Sequence, residues 1–171
     1  DKDDDHLDEA GHITDKEYAE LILKSINNMT LAGAVTKKEI VEQPPLPFDL
    51  TELQSYAGRK YGYSLNEVME ITQSLRDKYN AITYNRSDCR YLNENQYDEA
   101  PDTLTQVAKN IRYMNKRIDL DIHSRAFDDK ETAEAAHTAI IPQNKEVDIS
   151  QMTEKERNIY LAIAQYYMIQ F

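Results

Sequence analysis

Three prolines within four residues, Pro44-Pro45-Leu46-Pro47, constrain the fold of this chain more than any other feature of its sequence. Each proline fixes its own φ and removes a backbone donor, so no helix can run through the segment and the path there is stiff. The segment therefore separates a lead-in arm from a main domain. In the arm, Thr14 stands three residues before Glu17 in capping-box spacing, and Tyr18, Leu21, Ile22 and Ile26 recur at helical intervals. A helix of about 14 residues is expected there. Gly33 to Gln43 alternates loosely and is rich in β-branched residues (Val35, Thr36, Ile40, Val41), which predicts a strand leading into the prolines.

Beyond the prolines the pattern becomes helical. Asp49 or Thr51 can cap a helix carrying Leu53, Tyr56 and Ala57 that ends near Gly62, and Ser64 can cap a second with Val68, Ile71 and Leu75. Two short helices joined by a tight turn resemble a helix-turn-helix pair. Ala81-Ile82-Thr83-Tyr84 is brief, apolar and β-prone, which suits a short buried strand or the entrance to a turn. Thr103 to Ile118 is expected to be helical again, and Glu154 to Phe171 closes the chain with a helix bearing Ile159, Tyr160, Ile163 and Tyr167. The fold class expected is α+β, mostly helical.

Composition enters through charge. The formal net charge of -11 argues against a nucleic-acid partner, whose phosphates demand cations, but residues 1–20 carry nine acids against two bases and hold -7 of it. The excess is thus mostly an acidic leader over residues 1–9 and its surroundings. Asp1-x-Asp3-x-Asp5 imitates the start of a calcium loop, yet His6 and His12 stand where that loop needs its turn glycine and its bidentate glutamate. A solvated leader is the better reading. Cys89 is the only cysteine, so no internal disulfide and no multi-cysteine zinc site can be drawn. No stretch approaches the ~20 apolar residues of a membrane span, and no basic head precedes an apolar run at the start. A cytoplasmic protein with no membrane partner is expected. The chain starts at Asp1 rather than Met and stops within an apolar run at Phe171, so a piece of something longer is also expected.

The residues with most chemical content are Ile82-Thr83-Tyr84-Asn85-Arg86-Ser87-Asp88, where a tyrosine lies two residues from an arginine among small polar side chains. The bland reading is a tyrosine at a strand end beside an ordinary ion pair. A phenol, with an unperturbed pKa of about 10, is a poor nucleophile unless a cation favours the phenolate. Arg86 could do that, and could also brace a phosphate bidentately. On the expected helix from Thr103, Lys109, Arg112 and Lys116 fall three and four residues apart and so share a face, with Tyr113 and Arg117 beside them. That row is either a phosphate-tracking stripe or a solvated face. Arg59 and Lys60 are further cationic candidates. Some of the 12 tyrosines could stack on unpaired bases, though half-buried packing explains most of them. His123 and Cys89 have no cysteine-hydrolase signature around them.

Four blocks carry a resemblance. Pro45-Leu46-Pro47-Phe48-Asp49-Leu50-Thr51-Glu52-Leu53-Gln54, followed by Tyr61-Gly62-Tyr63-Ser64, resembles the opening of the tyrosine-bearing domain of type IA DNA topoisomerases, the topoisomerase III group above all. Ile82 to Asp88 resembles the family's active-site signature: a serine or threonine, the nucleophilic tyrosine, any residue, an arginine, a hydroxyl residue and an acid. Ala136-His137-Thr138-Ala139-Ile140-Ile141-Pro142 is similar to its histidine motif, and Thr153 to Phe171 to the helix that closes the same domain. The blocks occur in the family's order and span most of the chain. The departures are Asn85, where many relatives have proline; Cys89, where the signature ends in serine; and Arg76, where the family usually has another tyrosine.

The resemblance implies that Tyr84 attacks a phosphodiester of single-stranded DNA without ATP and forms a 5'-phosphotyrosine. Arg86 would stabilise the charge, His137 would donate to a non-bridging oxygen, and Thr83 and Ser87 would lie among the DNA contacts. It further implies a tyrosine domain over residues 49–171 with a helix-turn-helix core like that of catabolite activator proteins, and a strand-bearing piece of the gate domain over residues 10–48. Mg2+ would be held in a TOPRIM domain outside this sequence, so this piece alone is expected to cleave negligibly and to need the remaining domains in cis. A nucleoid-associated setting follows, and a helicase stands as a further candidate partner. Two other readings remain: a non-catalytic winged-helix module using the helices of residues 50–78 to read duplex DNA, and a protein-interaction domain, which would suit the acidic charge.

Overall fold

The computed structural model describes residues 6–27, 29–30, 33–40, 42–112 and 118–171. Two compact units divide the chain, Asp1–Ile40 and Val41–Phe171.

In the first unit the Asp8 carboxylate accepts from the backbone N–H of Ala10 at 2.9 Å and of His12 at 2.8 Å, and pairs with the His12 ring at 3.0 Å. The hydrogen bond from the His12 backbone is the main cause that holds the Asp8 carboxyl below the ordinary carboxylate range. Gly11, at φ 81, supplies the reversal, and Leu7 and Ile13 form an antiparallel bridge across it. Residues 6–9, expected in the acidic leader, thus belong to a built turn; residues 1–5, including the calcium-loop imitation, lie outside the described residues. Helix α1 (Lys16–Ile26) has 11 residues rather than about 14, because Asp15 and not Thr14 caps it. The Asp15 carboxylate accepts from the N–H of Glu17 and Tyr18, whereas the Thr14 hydroxyl donates back to the His6 carbonyl. A carboxylate is also favoured at the positive end of a helix. The strand expected over Gly33 to Gln43 does not form among the described residues: Val35 is 96% exposed, and no described strand stands beside it to complete a ladder.

In the second unit the prolines give way to two capped helices. Asp49 accepts from Glu52 N–H and opens α2 (Leu50–Tyr61), and Gly62, at φ 72, closes it in the left-handed conformation that glycine adopts without strain. Ser64 and Glu67 form a reciprocal capping box that opens α3 (Leu65–Asp77). Lys155 Nζ donates to Glu67 at 2.6 Å; that bond first, and those from Ser64 next, push the Glu67 carboxyl down to about 2. Among the described residues four helices follow: α4 (Glu94–Asp98), α5 (Ala100–Ile111), α6 (Asp129–Ala133) and, after a 3-10 turn (Ile149–Gln151), α7 (Glu154–Met168).

Helix α7 organises the core. Ile159, Tyr160 and Ile163 enter one apolar cluster with Phe48, Leu53 and Val68, while Ala164, Tyr167 and Met168 enter another with Leu92, Leu104 and Phe127. A helix buried on more than one side is a shared wall rather than a surface helix, and each fully buried Ile contributes about 1.5–3 kcal/mol. Glu156 on this helix is 7% exposed. Burial alone would raise its carboxyl, but hydrogen bonds from Ser74 and Thr153 outweigh that and hold it below the ordinary range. Asn110 is the second polar anchor: its amide donates to Lys145 O at 2.8 Å and Tyr160 Oη at 3.2 Å, and accepts from Val147 N–H at 3.1 Å.

The expected Thr103–Ile118 helix is displaced. It begins at Ala100, with Pro101 in its first turn, and ends at Ile111, where Arg112 turns left-handed at φ 52. The β component expected of an α+β fold is reduced, among the described residues, to isolated bridges: Leu7 to Ile13, Phe48 to Ile140 and Ile82 to Pro142 antiparallel, and Leu92 to Phe127 parallel.

Candidate active site

The Tyr84 loop is set by the way α3 ends. Asn80 is left-handed at φ 50, and Ala81 N–H returns to Leu75 O at 2.9 Å, which turns the chain back into the core. Ala81 and Ile82 are fully buried there. The next residues run antiparallel to the segment after His137: Thr83 N–H donates to Ile141 O at 2.9 Å, and Gln143 N–H donates to Ala81 O at 2.9 Å. The Thr83 side chain adds a second pair of bonds, its hydroxyl donating to Ala139 O at 3.1 Å and accepting from Ile141 N–H at 3.0 Å.

This clamp brings two distant stretches together. The rings of Tyr84 and His137 lie 3.9 Å apart between centroids, tilted by 34°. Tyr84 is half-buried, while His137 and Arg86 are exposed. No hydrogen bond or ion pair involves Arg86 among the described residues, so its guanidinium is uncommitted. Arg76, at the end of α3, places its guanidinium carbon 4.9 Å from the centre of the Tyr84 ring. Arg76 and His137 therefore both lie against one phenol, with Arg86 two residues further along the chain, in a protein of net charge -11, a local balance that suits an anion.

Asn85 secures the loop from behind. It is fully buried, and its amide donates to Thr72 Oγ1 at 3.3 Å and to Gln73 Oε1 at 3.5 Å, while its Oδ1 has no partner. Ser87 is buried as well. Its hydroxyl accepts from Cys89 N–H at 3.1 Å, and its carbonyl accepts from Leu50 N–H at 3.0 Å, which ties the loop to the start of α2. Thr83 and Ser87, expected among DNA contacts, thus have their hydroxyls engaged in holding the loop in this conformation.

The cationic row expected along α5 does not form one helical face. Arg112 has left the helix, and Lys116, with Tyr113 and Arg117, lies outside the described residues. Lys109 and Arg112 instead line a groove of about 570 Å3 with Leu104, Ala108 and Ile118, which does not include Tyr84. Arg59 is exposed on α2 and donates to Ser55 Oγ at 2.6 Å, and Lys60 donates to Tyr56 Oη at 2.6 Å. His123 pairs with Glu94 at 3.0 Å rather than with Cys89. Arg76 is the member of the site that sequence reading did not place there: it precedes Tyr84 across a turn, and no spacing rule aligns the two. Among the described residues no group of three or more His, Cys, Asp or Glu could hold a metal ion. No helix of the described residues is long and apolar enough to cross a membrane.

Three comparisons bear on this geometry. The sequence model of the family described as "DNA topoisomerase" matches residues 1–171. The chain is 33% identical to DNA topoisomerase 3 of Vibrio cholerae over 168 residues, covering 96% of this chain and 26% of that protein. It is 34% identical to DNA topoisomerase 3 of Haemophilus influenzae over 173 residues, covering 98% and 26%. Full-length topoisomerase I from Thermotoga maritima superposes with a TM-score of 0.56 at 20% identity, over 94% of this chain and 25% of that one; at that identity the likeness concerns the fold. The chain spans about a quarter of the length of the relatives it matches.

Proposed function

The chain belongs to the DNA topoisomerase family, in its type IA branch, and on that premise we propose that it is the part of the enzyme that cuts and reseals single-stranded DNA through Tyr84. The observation that carries this reading is the 3.9 Å contact of the Tyr84 and His137 rings, which joins the two motifs that the chemistry needs in one place.

Tyr84 Oη attacks a backbone phosphorus. The Oη–P bond forms as the P–O3' bond breaks; the phenol gives up its proton and the departing 3' oxygen gains one. The phosphodiester is conserved as a 5'-phosphotyrosine, so the reverse attack reseals the strand without ATP. Arg86, exposed and uncommitted, offers a planar fork to the phosphate oxygens. His137, beside the phenol, donates to a non-bridging oxygen, and a donor of that kind is worth about 2.7–4 kcal/mol in the transition state. Mg2+ and its TOPRIM domain belong, in this reading, to the rest of the enzyme, which acts in cis.

The α2–α3 pair, joined by Gly62-Tyr63-Ser64, supports a helix-turn-helix core like that of catabolite activator proteins for residues 49–171, with residues 10–48 assigned to the gate domain. The same pair would equally suit a winged-helix module reading duplex DNA. The full-length protein with Mg2+ and 3'-labelled single-stranded DNA decides between them. A denaturation-resistant labelled adduct in the wild type that is missing in Tyr84→Phe is expected. An adduct that survives Tyr84→Phe, or no adduct in either protein alongside sequence-preferring duplex binding, would overturn the proposal.

A further inference from the structure

We propose that Arg76 is a DNA-contacting residue of the cleavage site, holding a backbone phosphate next to the bond that Tyr84 attacks; this rests on the proposed role of Tyr84. The first ground is position, since the guanidinium carbon lies 4.9 Å from the centre of the Tyr84 ring. A strand that presents a phosphorus to Tyr84 Oη must bring its neighbouring phosphates past the same ring, within reach of a long, forked side chain.

The second ground is availability. The Arg76 side chain is 41% exposed, and the acid paired with it is its sequence neighbour Asp77, at 3.7 Å and itself 55% exposed. That separation is beyond hydrogen-bond length, an exposed pair of this kind is worth little, and Asp77 also accepts a short hydrogen bond from Gln73 Nε2. No hydrogen bond from the Arg76 guanidinium stands among the described residues, so its five N–H donors are free to exchange a weak contact for a phosphate. A core arginine would be placed differently. Arg90, for comparison, donates to Pro47 O at 3.0 Å and to Leu46 O at 3.1 Å.

The third ground is rigidity. Thr72 and Gln73, one turn earlier on α3, receive the amide of Asn85, so the helix that bears the guanidinium is tied to the loop that bears the phenol. Arg86 follows Tyr84 by two residues in the chain, and Arg76 adds a second cation from α3.

The test is the salt dependence of single-stranded DNA binding by the full-length protein, measured with an oligothymidylate for Arg76→Gln, Arg76→Lys and the unaltered protein. Removing one phosphate contact should flatten the slope of log K against log salt by about 0.7, so the affinity deficit of Arg76→Gln should shrink about 2.6-fold between 50 and 200 mM salt. Arg76→Lys should keep the slope, because it keeps the charge. A merely structural arginine would lower affinity by the same factor at every salt concentration, and parallel slopes for Arg76→Gln and the unaltered protein would overturn the proposal. Cleavage by Tyr84→Phe, run alongside, separates the two failures: an adduct that survives in Tyr84→Phe removes the reading of Tyr84, whereas a lost adduct with parallel slopes removes the role of Arg76 alone.

Discussion

Replacing Asn110 with alanine should destabilise the main domain by about 2–5 kcal/mol, a large effect for a polar residue, and the reason lies in what the substitution strands. Asn110 is 7% exposed and occupies both ends of its amide. It accepts from Val147 N–H, whose residue is also 7% exposed, and donates to Lys145 O and to Tyr160 Oη on α7, where Tyr160 is fully buried. A buried polar group left without a partner costs about 1–3 kcal/mol, and the substitution leaves two, the Val147 N–H without its acceptor and the Tyr160 Oη without its donor. Tyr160→Phe alone should cost only about 0.5–1.5 kcal/mol, because Asn110 keeps its bond to Lys145 O. Urea denaturation followed by circular dichroism gives both values by linear extrapolation, and the double mutant should show coupling of about 1 kcal/mol between the two sites. Asn110→Asp separates hydrogen bonding from packing: it preserves shape but sets a carboxylate against the Lys145 carbonyl. Its stability should improve as acid protonates the new carboxyl and restores a donor. A cost below about 1 kcal/mol for Asn110→Ala, or an Asn110→Asp variant indifferent to pH, would refute the reasoning.

Two further perturbations follow from the helix ends. Gly62→Ala should cost about 1–2 kcal/mol in the same denaturation experiment, entirely through the backbone, since φ is 72 and an added Cβ would meet no atom within 4 Å; a neutral result would contradict the left-handed cap. The Glu67 carboxyl sits near 2 when folded against 4.5 for its ordinary value, so the stability it contributes is complete above about 4.5 and is lost as pH falls towards 2. Glu67→Gln should therefore lower the melting temperature at neutral pH and converge with the unaltered protein near pH 2, and parallel melting profiles across that range would rule the linkage out.

What could be read from the sequence was mostly local. Ser64 caps its helix as expected, and Asp49 rather than Thr51 caps the one before it, because a small polar side chain followed at the right interval by an acid is a self-contained signal. The same rule misplaced the start of α1, where a turn that folds back to His6 occupies Thr14 and leaves the cap to its neighbour Asp15. Residues 33–43 have β-branched composition, but a strand is a property of two segments, and the described residues contain no partner. The end of α5 was missed because Arg112, where the helix stops in a left-handed φ, has no special propensity for that conformation. The meeting of Tyr84 with His137 depends on the clamp formed by Ala81, Thr83, Ile141 and Gln143, which no periodicity encodes; family resemblance pointed to the pair. Arg76 was visible only as a departure from the family pattern, and its approach to the phenol ring emerges from the geometry of the turn at Asn80.

The proline segment has a mechanical consequence. A stretch with three imino residues can offer little to its surroundings except carbonyls, and in this protein Pro45, Leu46 and Pro47 each have theirs held by a side chain: Gln170 takes the first, Arg90 the other two. Tension arriving along the chain from upstream would load these three bonds one after another before it reached Phe48 in the core. Gln170 lies just past α7 and Arg90 just past the Tyr84 loop, so a pull on the proline segment would be shared between the closing helix and the loop that carries Tyr84. The three carbonyl bonds thus fasten the proline segment to two points of the main domain that stand far apart in the sequence.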